Sequence, residues 1–423
     1  MAQSPLQIVI LGAGYAGRLA TARLAGRLRR QIRRQDISLN LVNAAEVFAE
    51  RLRLHQLAAN QPIRSCRIDD SLHGTGVAFV RGTATAIDPT RSTLHVQTPD
   101  STGPIRYDRL LLALGSTIDR DQVPGVRRHA YVLTPDGPNS ALDLRALLPK
   151  LNTERTGARL TVVGGGPTGV EAAAEFAESY PGLQVWLVTQ NELGAFTTRP
   201  AARYLRQALG RLGVIIQENV TVAEVRADAV FTSTGAAIPH EVCLWTGGFT
   251  VPTLAREAGL AVNERGQVQV DPLLRSVSHP EIYAAGDAAH PAEVPGAPVR
   301  MAAYTAVVMG AHAADCLSAD VQGRPARPFN FAYAGQAIAL GRHNALGFNT
   351  FPDDRAHRPY LTGKLGYEVR EFFVRLLADL SALERRWPGV FVWPSLGRFA
   401  AWRREPRTVE PLAAAVPGRA SGE

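Results

Sequence analysis

The stretch Leu6-Gln7-Ile8-Val9-Ile10-Leu11-Gly12-Ala13-Gly14-Tyr15-Ala16-Gly17 decides the fold. Its apolar run predicts a buried parallel strand, and the three glycines after it predict a tight turn into a helix. Gly12 allows the turn, Gly14 lets the backbone approach a pyrophosphate, and Gly17 packs helix on strand, so the helix N-terminus faces the phosphates. A second copy of this grammar is Leu160-Thr161-Val162-Val163 followed by Gly164-Gly165-Gly166-Pro167-Thr168-Gly169. Two such turns imply two bound dinucleotides, and a chain that holds two moves a hydride between them.

The chain has 423 residues, enough for two or three domains, with 46% hydrophobic and 20% charged residues, as in a soluble globular protein. No run reaches the ~20 apolar residues of a membrane-spanning helix. No leader pattern precedes the first strand, so a reducing cytoplasm is the expected location. Cys66, Cys243 and Cys316 stand far apart and form neither a metal pattern nor a redox pair. The net charge of +8 is carried almost wholly by arginine, with lysine only at Lys150 and Lys364. It reads as a genome-composition effect. No nucleic-acid motif accompanies it, and no nucleic-acid partner is expected.

Outward from the first turn, a helix is predicted over about Tyr15–Arg34, then a strand Ser38–Asn43. Asn43 stands where an acid usually grips a ribose. Strand patterns follow at Val77–Val80, at Thr83–Ile87 with Ala84, and at Thr93–Val96. A buried strand then runs into Ala113-Leu114-Gly115-Ser116. The second glycine turn opens a further unit, whose next strand ends at Val188 before Thr189-Gln190. Trp245-Thr246-Gly247-Gly248 returns the chain to the first unit, where Gly286-Asp287 ends another strand and a helix is expected from about Met301 to Leu317. The expected class is α/β, with two Rossmann-like domains, the second inserted into the first, and a small α+β part after them. The expected divisions are 1–120 and 246–320 for the first domain, 121–245 for the second, 321–405 for the C-terminal region, and a disordered Pro/Ala/Gly-rich tail at 406–423.

This order resembles the flavoprotein pyridine-nucleotide oxidoreductases with two dinucleotide-binding domains, and most of all the type II NADH dehydrogenases. The resemblance spans roughly residues 6–345. It implies FAD on Gly12, Gly14, Ala16 and Gly17, with Asn43 at the ribose and Gly286-Asp287 at the ribityl chain. It implies NAD(P)H on Gly164, Gly166, Pro167, Thr168 and Gly169. Ala84, Ala113, Gly115, Gly247 and Ala302 complete the expected cofactor-binding set, and no metal is expected. Glu171 is the candidate catalytic residue, placed near nicotinamide and flavin to hold the carboxamide. As residues alone, Asp287 is equally a helix N-cap and Glu171 a favourable acid in a first helical turn. Arg51 and Gln56 either face FAD or serve as a surface ion pair and a helix-surface amide.

Three departures bear on the reaction. The missing cysteine pair argues against disulfide reduction and weakens sulfide oxidation. The relatives carry an Ala-Gln pair beside the quinone site where this chain has Ala303-Tyr304. Thr189-Gln190 replaces the acid that selects NADH, with Arg199 and Arg203 nearby, so the nucleotide stays NAD(P)H. A quinone is the expected acceptor. The alternatives are a small aromatic or protein acceptor, and a slow redox sensor. Leu365, Val369, Phe372, Phe373, Leu376, Leu377, Leu380 and Leu383 predict an amphipathic helix with Arg370, Glu371, Arg375, Asp379 and Glu384 off its apolar face. It is expected to dock on the flavin domain. The aromatic and basic stretch after it, Trp387 to Arg404, leaves peripheral membrane contact open, as the sequence leaves a homodimer.

Overall fold

The computed structural model describes residues 4–292 and 299–395. Strand β1 (Leu6–Leu11) runs into helix α1 (Tyr15–Arg27), and β2 (Ile37–Asn43) returns parallel to β1 with Leu6 opposite Ile37 and Leu11 opposite Val42. Ile8, Val9 and Ile10 are fully buried, since α1 packs on the sheet and Ile87, Leu94 and Val96 of a small antiparallel sheet share its core, which is why the strand reads as an unbroken apolar run. A short helix α2 (Leu54–Ala58), then β3 (Ala78–Arg81) and β4 (Arg109–Leu112), complete this part. A small antiparallel sheet of Thr83–Asp88, Thr93–Gln97 and Thr102–Arg106 lies between the last two. The helix expected as one run to Arg34 breaks at Leu28 (φ −101°, ψ 12°) and resumes as Arg29–Arg33.

The chain then builds a second parallel sheet. Its strands are β5 (Ala130–Val132), β6 (Arg159–Val163), β7 (Gln184–Val188), β8 (Ile215–Gln217) and β9 (Val242–Trp245), in the order β8-β7-β6-β9-β5. Helix α3 (Pro167–Ser179) follows β6. After β9 the chain goes back, and β10 (Ile282–Ala284) pairs parallel with β4. The first sheet, β10-β4-β1-β2-β3, thus takes strands from both sides of the second unit. The fold is α/β with two Rossmann-like domains, the second inserted in the first. Helix α4 (Ala303–Val321) lies along α1 so closely that a Cβ on Gly310 would stand 2.3 Å from the Ala16 carbonyl oxygen.

An antiparallel sheet of β11 (Gly335–Ala339), β12 (Ala345–Thr350) and β13 (Ala356–Leu361) and the long helix α5 (Gly363–Arg386) form the α+β part. Helix α5 packs on α1, β12 and β11. Its orientation corrects the periodicity argument. Arg370, Glu371 and Glu384 are buried beside Val374, Ala378 and Leu380, while Leu365, Phe372 and Phe373 are 63%, 62% and 52% exposed. Buried charges are tolerable only when paired, and these are. Glu384 takes hydrogen bonds from Arg23 Nε (3.0 Å), Gly389 N (2.7 Å) and Phe391 N (2.8 Å). No helix among the described residues is long and apolar enough to cross a membrane. The expected tail at 406–423, with Arg398 and Trp402 to Arg404, lies outside the described residues.

Candidate functional site

The two glycine turns are built alike. Gly12 has φ +106° and Gly164 φ +125°, a region that disfavours any side chain. A Cβ on Gly17 would fall 1.8 Å from the Gly12 carbonyl oxygen, and one on Gly169 1.9 Å from that of Gly164. The middle glycines, Gly14 and Gly166, are exposed and meet nothing within 4 Å. Each is the N-cap of its helix, with no side-chain cap and no acid in the first turn. The leading N–H groups of α1, and those of α3 from Thr168 onward since Pro167 carries none, are uncapped by side chains behind an open middle glycine, as an anion site requires.

Around the first turn, Ala113 sits under Gly12 and Gly17, and Gly286 (φ +69°) wedges between the Cβ atoms of Ala16 and Ala306. Asn43 Oδ1 accepts from Ala13 N (2.9 Å) and its Nδ2 donates to the Ala45 carbonyl (2.8 Å), so its amide clamps the turn. Ala84 lies in the strand that follows Gly82, whose amide donates to the Asn43 carbonyl. Asp287 Oδ2 accepts from Ser116 N (3.1 Å) and Ser116 Oγ (2.7 Å), while its buried Oδ1 has no partner among the described residues. Arg51 donates to the Ser116 carbonyl and lies against Gly115. Burial lowers its pKa, and Asp287 opposes that shift. Helix α4 begins after Ala302 with no side-chain cap. The structure thus brings the first glycine turn, Ala113 to Ser116, Arg51 and Asp287 to one crevice at the C-terminal ends of the strands.

At the second turn, Gly247 and Thr246 abut Gly164, and Thr246 Oγ1 donates to the Val163 carbonyl (2.9 Å). Glu171, on α3, is drawn into a buried ionic network. Its Oε1 accepts from Ala339 N and from Arg370 Nη2, both at 2.9 Å. Arg370 also donates to Glu371 (2.7 Å), and Glu371 takes Arg53 Nη2 at 2.7 Å. Arg53 in turn reaches Glu50 (2.9 Å) and Gln56 Oε1 (2.8 Å). Burial works against the charge on Glu371, yet Arg53 and Arg370 hold its pKa below the ordinary value. His55 beside them is buried and neutral, its pKa pushed down to about 4 against the pull of Glu171. Gln56 is thus a network member rather than a helix-surface amide. Arg199 and Arg203 are exposed.

The family model of the pyridine nucleotide-disulphide oxidoreductases matches residues 6–310. The chain belongs to that family. Among relatives, an NADH dehydrogenase-like protein of Mycobacterium tuberculosis is 30% identical over 300 residues, 67% of this chain and 72% of the relative. A demethylphylloquinone reductase of Synechocystis is 27% identical, over 80% of this chain and 86% of its own. In structure, the chain shares its fold with the NDH2 of Plasmodium falciparum solved with NADH (TM-score 0.73, 15% identity, 92% of this chain and 99% of that one).

As a member of the pyridine nucleotide-disulphide oxidoreductases, this chain is an NAD(P)H-dependent flavoprotein oxidoreductase. The residues present fit FAD at the first turn: an open cradle at Gly14, uncapped helix amides and an unpartnered carboxylate oxygen on Asp287. The family's disulphide chemistry has no counterpart in the cysteines. Cys66, Cys243 and Cys316 are all free, and burial pushes Cys243 and Cys316 up to about 12. Three parts of the site escaped sequence reasoning. Thr246 fits under the second turn, Ser116 grips Asp287, and Arg370 reaches Glu171 from 199 residues away. Thr246 and Ser116 carried local signals, the Gly-Gly pair after the one and the small-residue turn that ends in the other, while Arg370 carried none.

Proposed function

We propose that this protein is an NAD(P)H:quinone oxidoreductase with FAD on the first glycine turn and NAD(P)H on the second. The observation that carries this reading is the pair of like-built turns with open middle glycines, set in one chain with the unpartnered Asp287 oxygen at the first. Bound FAD supplies the hydride acceptor and passes the electrons on. The chain's part is positioning and electrostatics. The N–H groups opening α1 and α3 would hold pyrophosphates, and Asp287 Oδ1 would accept from a ribityl hydroxyl. The uncapped N-terminus of α4 would stabilise negative charge on the bound flavin. Glu171, with Oε2 free of hydrogen bonds among the described residues, accepts from the nicotinamide carboxamide.

For the acceptor, the name of the Synechocystis relative supports a quinone. So does Tyr304 at the start of α4, which is partly exposed and backed by the buried Phe331 ring at 5.8 Å. A flat acceptor ring would stack on the exposed part of Tyr304. Tyr304 in place of the relatives' glutamine also favours a second reading, a small aromatic acceptor other than a quinone. The exposed face of α5, Leu365, Phe372 and Phe373 beside Lys364 and Arg375, suits peripheral contact with an anionic membrane surface. The test is anaerobic. Protein reduced with one equivalent of NADH is mixed with menadione or a short-chain ubiquinone. Reoxidation within the turnover time supports the quinone, and persistence of reduced flavin with both moves the assignment to the second reading.

A further inference from the structure

Glu171 does not stand free at the second turn, because a residue of the C-terminal helix holds it. We propose that Arg370 is a positioning residue for the nicotinamide end of the site, fixing the Glu171 carboxylate in one orientation so that Oε2 is presented to the nucleotide. This rests on the reading of Glu171 given under Proposed function.

Arg370 is only 2% exposed, and its guanidinium is divided between three acceptors. Nη2 donates to Glu171 Oε1 (2.9 Å) and to the Leu52 carbonyl (3.3 Å), and Nη1 donates to Glu371 Oε1 (2.7 Å). The guanidinium is planar, so the bond from Nη1 to Glu371 fixes where Nη2 points, and Nη2 together with the Ala339 amide fixes the place of Glu171 Oε1. Both bonds to Glu171, from Arg370 and from the Ala339 amide, fall on the same oxygen, Oε1. That asymmetry leaves the other oxygen directed by the pair and uncommitted among the described residues. The three acceptors come from three parts of the chain: α3 of the second unit, the segment before α2 in the first, and α5 itself. Farther along α3, the hairpin between β11 and β12 makes a matching attachment. Arg342 N donates to Glu178 (2.6 Å), and Arg342 Nε donates to Glu175 (3.2 Å). The acids of α3 therefore face the C-terminal part along the helix, and only the first of them, Glu171, lies near the glycine turn.

The alternative is that Arg370 serves stability alone, as one buried ion among others. The two roles separate experimentally because removing Arg370 orphans neither neighbour. Glu371 keeps its two bonds from Arg53, and Glu171 keeps the Ala339 amide. Arg370→Met retains the apolar stem and is expected to fold with its flavin.

The experiment titrates flavin-loaded protein with NAD+ and NADP+, followed by the perturbation of flavin absorbance, and then measures steady-state rates with NADH and NADPH. Wild type is compared with Arg370→Met, Arg370→Lys, Glu171→Gln and the Glu171→Gln/Arg370→Met double variant. Loss of one charge-assisted bond predicts about a 10-fold rise in both Kd and KM for the nucleotide in Arg370→Met. Flavin content should be unchanged and kcat should fall less than KM rises. Arg370→Lys should recover part of the loss. The double variant should be no worse than Glu171→Gln, since Arg370 acts through Glu171. Additive losses, or an Arg370→Met protein that lacks flavin while Arg370→Lys binds nucleotide no better than it, would overturn the proposal. If Glu171→Gln itself binds and turns over normally, the role of Glu171 fails and the proposal falls with it. If Glu171→Gln is impaired and Arg370→Met is not, only the proposal fails.

Discussion

The two glycine units share a turn and differ in what closes over it. Each first glycine has a positive φ, each third glycine packs against the first one's carbonyl, and each middle glycine is open. The first turn is then closed by its own domain, with the Asn43 amide on Ala13, Ser116 on Asp287 and Arg51 on the Ser116 carbonyl. The second is tightened by Thr246 and Thr189 beneath it, but Glu171 on its helix is held from outside, by Ala339 and Arg370 of the C-terminal part. The turn is a backbone device and is interchangeable. The identity of each site comes from its closing residues, and in the second unit those are borrowed.

The largest test of that comparison is to fill the third glycine. Gly17→Val forces a side chain into the Gly12 carbonyl at the heart of the larger core, and loss on the order of 4 kcal/mol or more is expected. The protein should lose its flavin and much of its soluble yield. Gly169→Val makes the same clash in the inserted unit, so flavin should remain and reduction by NAD(P)H should disappear. Flavin-to-protein ratio and anaerobic bleaching read both, and loss of flavin in Gly169→Val would break the separation of the two sites. Asp287→Ala comes next. Removing one charged acceptor predicts about a 10-fold weaker hold on FAD, measured by flavin release on dilution, with the fold intact.

The third test places one titrating group in each region. Burial depresses His312 on α4 and His55 beside the second site to about 4, from 6.5 in the unfolded chain. Between those values the unfolded chain binds protons that the folded chain refuses. Stability is therefore complete above about pH 6.5 and falls as the pH drops towards 4. At pH 5 the loss is about 2 kcal/mol for each histidine. Thermal denaturation from pH 7 to 5 should show it, and His55→Asn or His312→Asn should each remove about half of the pH slope. An unchanged slope in both variants contradicts the assignment. The smallest test concerns the clamp. Asn43→Ala loses the bond to Ala13 and should cost about 1 kcal/mol with a few-fold weaker flavin hold. Thr189→Ala, which loses only packing under Gly165, should cost less in a denaturant titration.

What could be read in the sequence was local. The glycine turns were legible because strand, turn and helix lie within about twelve residues and backbone geometry permits nothing else there. Asp287 was legible because a carboxylate at a strand's C-terminal end points into the crevice. Helix α5 was misjudged because periodicity counts apolar residues and cannot see distant partners. Glu384 finds Arg23 across 361 residues and Arg370 finds Glu171 across 199. Once paired, these charges turned inward, and Phe372 and Phe373 were left outside. The break at Leu28 was hidden because apolar spacing continues through it.

The central claim is that hydride enters at the second turn and reaches flavin at the first. The most direct measurement is rapid anaerobic mixing of purified protein with NADH and, separately, with NADPH, following oxidised-flavin absorbance in wild type and in Gly166→Ala. The account predicts bleaching by at least one nucleotide in wild type, and severe slowing in Gly166→Ala with its flavin still bound. Wild-type protein that retains its flavin and is bleached by neither nucleotide, or a Gly166→Ala protein reduced as fast as wild type, would contradict it.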